Sequence, residues 1–241
     1  MTDPDLDRAL NAALAEPPRR VRAVVLADGR RFWLKRVERL SGRLRVQKGD
    51  PARAFAAERA GLRALAAAGL PVAELVAEGP DWVLLRDAGP TLPQVVGDAG
   101  RDGTGKLRAC AAAGAALARL HAAGMAHGRP AVRDLCWDGE AARFIDLERF
   151  RRAQPGGFWQ AADVVMFAQT AFTAWPDDPR WLEAALGAYA VSAPEEAMAA
   201  VRRLARWLAP VGWLAAGLSR LRPGSRELRA VGLTLARLRR I

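Results

Sequence analysis

Lysine is nearly absent from this chain. Only three of its 37 cationic residues are lysine, at positions 35, 48 and 106; the rest are arginine. Where arginine is the default cation, a lysine inside an apolar segment marks a need for a compact ammonium. Cysteine is scarce too. Cys110 and Cys136 form no C-x-x-C pair and no metal-ligand spacing, which excludes a disulfide framework or zinc staple and fits a reducing, cytoplasmic setting. Long apolar runs are missing: the uncharged stretches 164–176 and 207–219 fall short of the roughly 20 residues a spanning helix needs. The first residues carry Asp3, Asp5 and Asp7 with no apolar stretch behind them, unlike a secretory leader. No internal repeat or low-complexity linker is seen.

Half of the 241 residues are hydrophobic, enough for a sizeable core in one domain or a two-lobed one. The net charge of +11 is unevenly placed. Residues 201–241 hold ten arginines and one acid, Glu227, so this end carries +9 and the other 200 residues only +2. Such an end suits anionic lipid, nucleic acid, an acidic partner, or plain solvent. Leu228, Val231, Leu235 and Leu238 recur at helical spacing, and the Trp-bearing stretch 207–219 sits between Arg206 and Arg220. Segments of that kind either pack an apolar face on the body or lie on an anionic membrane. Nucleic acid is the weaker partner, because few aromatics are placed for base stacking.

Residues 21–26 and 31–37 read as two strands around Asp28-Gly29, a hairpin signal. The polar stretch 38–49 reads as a loop. Asp50 and Pro51 open a helix as N-cap and first-turn residue, which Gly69 and Pro71 close. Residues 72–78 and 82–86 are two further expected strands, and 86–93 is a linker. A helix is expected over about 106–123, a short strand over 142–146, and helices after Phe158 with breaks at Pro176, Pro194, Pro210 and Pro223.

Lys35 sits in the expected strand RFWLKRV. By alternation it shares an apolar face with Trp33 and Val37. In the following helix Phe55, Glu58, Leu62 and Leu65 share one side, so Glu58 is an acid on the packing face. A buried carboxylate needs a partner, and Lys35 is the candidate. Asp146 stands at the end of ARFID, and Asp134 twelve residues earlier. Two carboxylates bracketing a short hairpin can share one hard cation.

In this order the residues resemble the protein-kinase-like superfamily, most of all its bacterial lipopolysaccharide core kinases, the Kdo and heptose kinases. The resemblance spans about residues 20–170. It implies an α+β, two-lobed kinase-like fold: a β-rich lobe over 1–88, a helical lobe over 89–200, and a basic amphipathic end over 201–241. It implies ATP and Mg²⁺ as cofactors. Lys35 and Glu58 match the phosphate-holding strand lysine and helix glutamate. Residues 82–89 match the hinge, making Arg86 and Ala88 candidate adenine contacts. His127 and Gly128 match the start of the catalytic loop, Asp138-Gly139 its following turn, and Asp163 the helix aspartate that braces it. Asp146, in FIDLERF, matches the metal aspartate, and Asp134 stands where the metal asparagine is expected.

Two departures change the chemistry. Only Glu16, Pro17 and Pro18 precede the first strand, so no glycine-rich phosphate lid is present there. Arg129 stands where the catalytic aspartate belongs, and a guanidinium cannot accept a proton. Asp134 could then serve as base, or Arg129 clamp an anionic acceptor. Three functions follow as expectations: phosphoryl transfer to a hydroxyl on a small or lipid-linked sugar; a non-catalytic nucleotide-binding or membrane-surface scaffold; and a protein serine/threonine kinase. Contact with a membrane through 201–241 at the inner face accompanies the first two.

Overall fold

Asp28 and Gly29 turn the chain between β1 (Val21–Val25) and β2 (Arg31–Arg36), with Gly29 at φ +85°. The computed structural model describes residues 3–37, 50–222 and 224–241, so the loop expected over 38–49, with Lys48, and the break at Pro223 lie outside the described residues. With β3 (Leu75–Glu78) and β4 (Trp82–Arg86), the hairpin forms an antiparallel sheet of order β1-β2-β4-β3. The register sets Lys35 opposite Val21 on one side and Val83 on the other.

Alternation along β2 divides the sheet's two faces. Phe32 and Leu34 join Val24 and Leu84 against Leu10 and Ala13 of α1 (Pro4–Ala15). Trp33 and Lys35 point the other way, where Val83 and Leu85 join Phe55, Leu62 and Leu65 of α2 (Pro51–Ala67) in the main core. Each such side chain, fully buried, contributes about 1.5–3 kcal/mol. Helix α2 starts as its sequence predicts: the Asp50 side chain accepts the Ala52 N–H at 3.0 Å, with Pro51 in the first turn. Its buried face carries Phe55, Glu58, Leu62 and Leu65.

Several expected boundaries are corrected. Helix α1, unforeseen, begins at Pro4 with Asp3 as N-cap, its carboxylate accepting the N–H groups of Asp5 and Leu6. The strand expected over 72–78 starts only at Leu75, and Val72 makes a single bridge to Phe144. The linker over 86–93 runs into a short helix, α3 (Leu92–Gly97). Helix α4 (Gly103–Ala122) begins three residues early, where Asp102 caps the Gly105 N–H at 2.7 Å.

Beyond α4 come two small antiparallel ladders, β5 (Met125–Ala126) with β8 (Arg151–Arg152) and β6 (Leu135–Trp137) with β7 (Ala142–Phe144). Helices α5 (Phe158–Ala174), α6 (Arg180–Ser192), α7 (Ala197–Trp207), α8 (Ala209–Leu221) and α9 (Arg226–Leu238) complete the chain. Pro176 and Pro194 fall between helices as expected, and Pro210 opens α8. Gly114 of α4 packs directly on the Ala185 carbonyl of α6, which brings those two helices close together. The architecture is α+β with small antiparallel sheets. No helix among the described residues is long and apolar enough to cross a membrane.

Candidate functional site

Lys35 and Glu58 meet. The ammonium bonds Glu58 Oε1 and lies 3.7 Å from Asp146 Oδ1. Glu58 is buried, and burial pushes its carboxyl above the ordinary range against the pull of Lys35. An acid held that way depends on its cation to stay ionised.

Asp146 is not the end of a strand. β7 stops at Phe144, and Asp146 is the sole non-glycine among the described residues at positive φ, +59°. A side chain rarely takes that conformation without a tertiary constraint. The constraint is visible: the Ile145 N–H donates to the Asp134 carbonyl at 2.9 Å, and the Ile145 carbonyl accepts from His127 Nε2 at 3.0 Å. The β6–β7 hairpin turns at Asp138-Gly139, where Asp138 Oδ1 accepts the N–H groups of Glu140 and Ala141. The two ends of that hairpin therefore lie together, with Asp134 at one and Asp146 just past the other.

Asp163 of α5 holds the preceding loop by its backbone. Its carboxylate accepts the His127 N–H at 2.7 Å and the Gly128 N–H at 2.9 Å. Gly128 sits at φ +91°, and a Cβ there would collide with the Arg149 carbonyl, so glycine is required. Behind Asp163 stands a buried network that sequence reasoning missed. His121 Nε2 lies 3.3 Å from the same carboxylate, and its Nδ1 2.8 Å from the Tyr189 hydroxyl. Gln160 donates to the carbonyls of His121 and Met125. The signal was one or two buried-type polar residues in each of the apolar helices α4, α5 and α6, too sparse to read without knowing which turns face each other.

A cleft of about 520 Å³ opens on this group. Lys35, Trp33, Asp134, Asp146, Arg86, Ala88 and Gly89 all line it. Trp33, which had only been read as a neighbour of Lys35, donates from its indole Nε1 to Asp87 at 2.9 Å. Arg86 reaches outward: its guanidinium bonds Glu74 and stacks 5.5 Å over Phe32. Ala88 is buried, and the segment after it runs along β6, where the Trp137 N–H donates to the Pro90 carbonyl at 2.8 Å.

Asp134 is buried, and its Oδ2 accepts the Ala131 N–H at 3.1 Å. Burial, and then the charge of Asp146, push its carboxyl up to about 6. That places a proton acceptor near neutrality in a cleft. Arg129, half exposed, lies 3.9 Å from Asp146 Oδ2, on the far side of the carboxylate from Lys35.

Two carboxylate sets offer themselves to a cation. Ligand oxygens of Glu58, Asp146 and Glu148 lie within 4.8 Å of one another. However, Glu58 is bonded to Lys35 and Glu148 to Arg20 at 2.5 Å, and Asp146 lies between Lys35 and Arg129, so each already faces a cation. Asp146 Oδ1 differs. It is buried without a hydrogen bond, the condition of an oxygen that lacks a ligand. Asp146 and Asp134, which line the same cleft, are the other carboxylates that could share a hard cation.

No protein-family model matches the chain. It is 30% identical over 140 residues to an uncharacterized protein of Haemophilus influenzae, covering 58% of each chain.

Proposed function

We propose that this chain is an ATP- and Mg²⁺-dependent phosphotransferase of protein-kinase-like, two-lobed fold, acting on a hydroxyl of a small or lipid-linked sugar. The observation that carries this reading is the Lys35–Glu58 pair, joined at 3.7 Å to Asp146 on the floor of a cleft beside the 86–89 segment. A strand lysine held by a helix glutamate and directed at a metal-type aspartate suits the neutralisation of nucleotide phosphates. Trp33, fixed by Asp87, offers a planar face for a base in the same cleft. Helix α1 covers the opposite face of the sheet and does not replace a glycine-rich lid over this cleft.

Asp146 and Asp134 would hold Mg²⁺, which when bound would supply charge neutralisation to the transferring phosphoryl group. If Asp134 instead takes the place of the missing base, the cation would rest mainly on Asp146. As the acceptor oxygen forms its bond to the γ-phosphorus and the bond to the ADP oxygen breaks, the hydroxyl proton passes to the Asp134 carboxylate. With no cation bound to it, burial and the charge of Asp146 raise that carboxyl to about 6, within reach of neutral pH. Arg129 adds positive charge beside Asp146.

Titration with Mg²⁺-ATP followed by thermal unfolding tests this. Saturation at about 100 times Kd stabilises the native state by about 2.7 kcal/mol. Wild type should gain stability, Lys35→Ala and Asp146→Asn should not, and a panel of sugar hydroxyl acceptors should yield ADP. Absence of any shift in wild type overturns the reading. A second reading, a nucleotide-binding scaffold without turnover, is favoured by one observation: Arg129 approaches Asp146, where a phosphotransferase would keep its base. A shift with no ADP formed over the whole panel would select it.

A further inference from the structure

Helix α8 is packed inside out. It buries Ala209, Gly212 and Ala215 and exposes Val211, Trp213, Leu214, Leu218 and Leu221; Trp213, Leu214 and Leu221 are 67%, 64% and 79% exposed. A helix that covers a globular core does the reverse. The small inner residues have a structural reason: a Cβ at Gly212 would stand 3.1 Å from Leu235 Cδ1 of α9, so the two helices approach closely there. The large outer residues have none within the described fold. Val211, Leu214, Leu218 and Leu221 fall at i, i+3, i+7 and i+10, one stripe about 15 Å long. A groove of about 600 Å³ lined by Phe158, Arg203, Leu204 and Trp207 lies at the α7 end, and Trp207 is itself exposed.

Charge surrounds this stripe with one sign. Arg203 and Arg206 precede it, Arg220 lies in its last turn, and Arg222 and Arg226 follow it, all exposed. Among the described residues no ion pair joins any of these five to an acid, whereas Arg229 and Arg237 of α9 pair with Asp177 and Glu183. The two amphipathic candidates of the basic end thus separate. The Leu stripe of α9 turns inward, with Leu235 and Leu238 in the core, and only α8 keeps an unpartnered apolar face.

We propose that α8 docks on an anionic bilayer surface, lying in its plane with the Val211–Leu214–Leu218–Leu221 stripe at the acyl boundary and the flanking arginines on headgroup phosphates. An apolar stripe with exposed tryptophans beside it and arginines around it is the composition that interfacial helices need. A second copy of the chain fits poorly, since it would bring two arginine rims together. Nucleic acid fits poorly as well, since leucine and valine offer nothing to a phosphate. The docking does not depend on the phosphotransferase reading.

Co-sedimentation of the full chain tests it, with vesicles of phosphatidylcholine alone and of phosphatidylcholine with phosphatidylglycerol. Wild type should sediment with the anionic vesicles only, and less at high salt. The Leu214→Glu/Leu221→Glu variant, altered only at exposed positions, should keep its melting temperature and bind roughly tenfold or more weakly. Arg220→Gln/Arg222→Gln should bind several-fold more weakly for each charge removed. The proposal is overturned if wild type ignores anionic vesicles, or if both variants bind as wild type does. It is equally overturned if wild type, without binding vesicles, forms a dimer that Leu214→Glu/Leu221→Glu dissolves, or binds duplex DNA or an acidic protein.

Discussion

The Arg129 guanidinium lies 3.9 Å from the carboxylate of Asp146, seventeen residues further along the chain. Gly128, at positive φ, and Asp163, which holds the backbone on either side of the 127–128 peptide, set where Arg129 emerges. The arginine is therefore a fixed positive charge beside the strongest candidate metal ligand. Lys35 approaches the other oxygen of the same group, so Asp146 stands between two cations.

Replacing Arg129 by alanine removes charge that competes with a divalent cation. At a half-exposed site such a pair contributes roughly 0.2–1 kcal/mol. Mg²⁺ affinity, read by isothermal titration, is expected to rise about two- to five-fold. Thermal stability without metal should change little.

The Lys35–Glu58 pair predicts a pH-dependent cost. Lys35→Met leaves Glu58 buried without its cation, and breaking such a pair costs about 3–5 kcal/mol. Glu58 is already raised by burial. In the variant its ionised form is penalised further, so the loss should be largest above neutrality and shrink as falling pH protonates the acid. Urea midpoints at pH 5 and pH 8 measure this. The double change Lys35→Met/Glu58→Gln should recover much of the stability at pH 8, and none of the nucleotide binding.

Asp134 gives the opposite lesson to a paired acid. Its folded value, about 6, stands above the ordinary 3.8, so the native state disfavours its ionised form. Below about pH 4 the group is protonated in both states and contributes nothing. As pH rises through 4 to 6 the unfolded chain ionises first and stability falls, by the order of 2–3 kcal/mol, and the cost persists above 6. Asp134→Asn keeps an acceptor for the Ala131 N–H. In metal-free buffer it should match wild type at pH 4 and exceed it at pH 7.5. If Asp134 is the base, the same variant should lower turnover by about 10²–10⁴-fold.

Removing Asp163 should unfasten the loop. Asp163→Ala leaves the His127 and Gly128 N–H groups and the buried His121 without their acceptor. Hydrogen bonds to a charged group contribute about 1.5–3 kcal/mol each, so a loss of at least 3 kcal/mol is expected in denaturant unfolding. Asp163→Asn, which retains one acceptor oxygen, should lose less.

Much of the first half of the chain was legible because its signals are local. Asp28-Gly29 needs only a hairpin turn, and Asp50-Pro51 only a helix start. Asp3-Pro4 carries the same pair, yet its helix was not expected from the sequence. Only in the folded chain does the outer sheet face of Phe32, Leu34 and Leu84 require a cover. The strand ends at 75 and 144 were misjudged for a related reason: β-rich composition continues through Val72 and Ile145, while pairing stops where the partner strand turns away.

The sequence by itself determined which residues are able to meet. Period two puts Lys35 on the face away from Phe32 and Leu34, and helical spacing puts Glu58 among Phe55, Leu62 and Leu65, so their pairing followed once strand and helix packed together. Tertiary structure alone decided the rest. It bent Asp146 out of the strand into a left-handed turn, joined His121, Tyr189 and Asp163 from three helices, and set Arg129 against Asp146. It also sorted two amphipathic stripes of similar look, burying the one on α9 and exposing the one on α8. Periodicity gives each helix an apolar face; which of those faces finds a neighbour depends on the space left by all the others, and no local pattern records that.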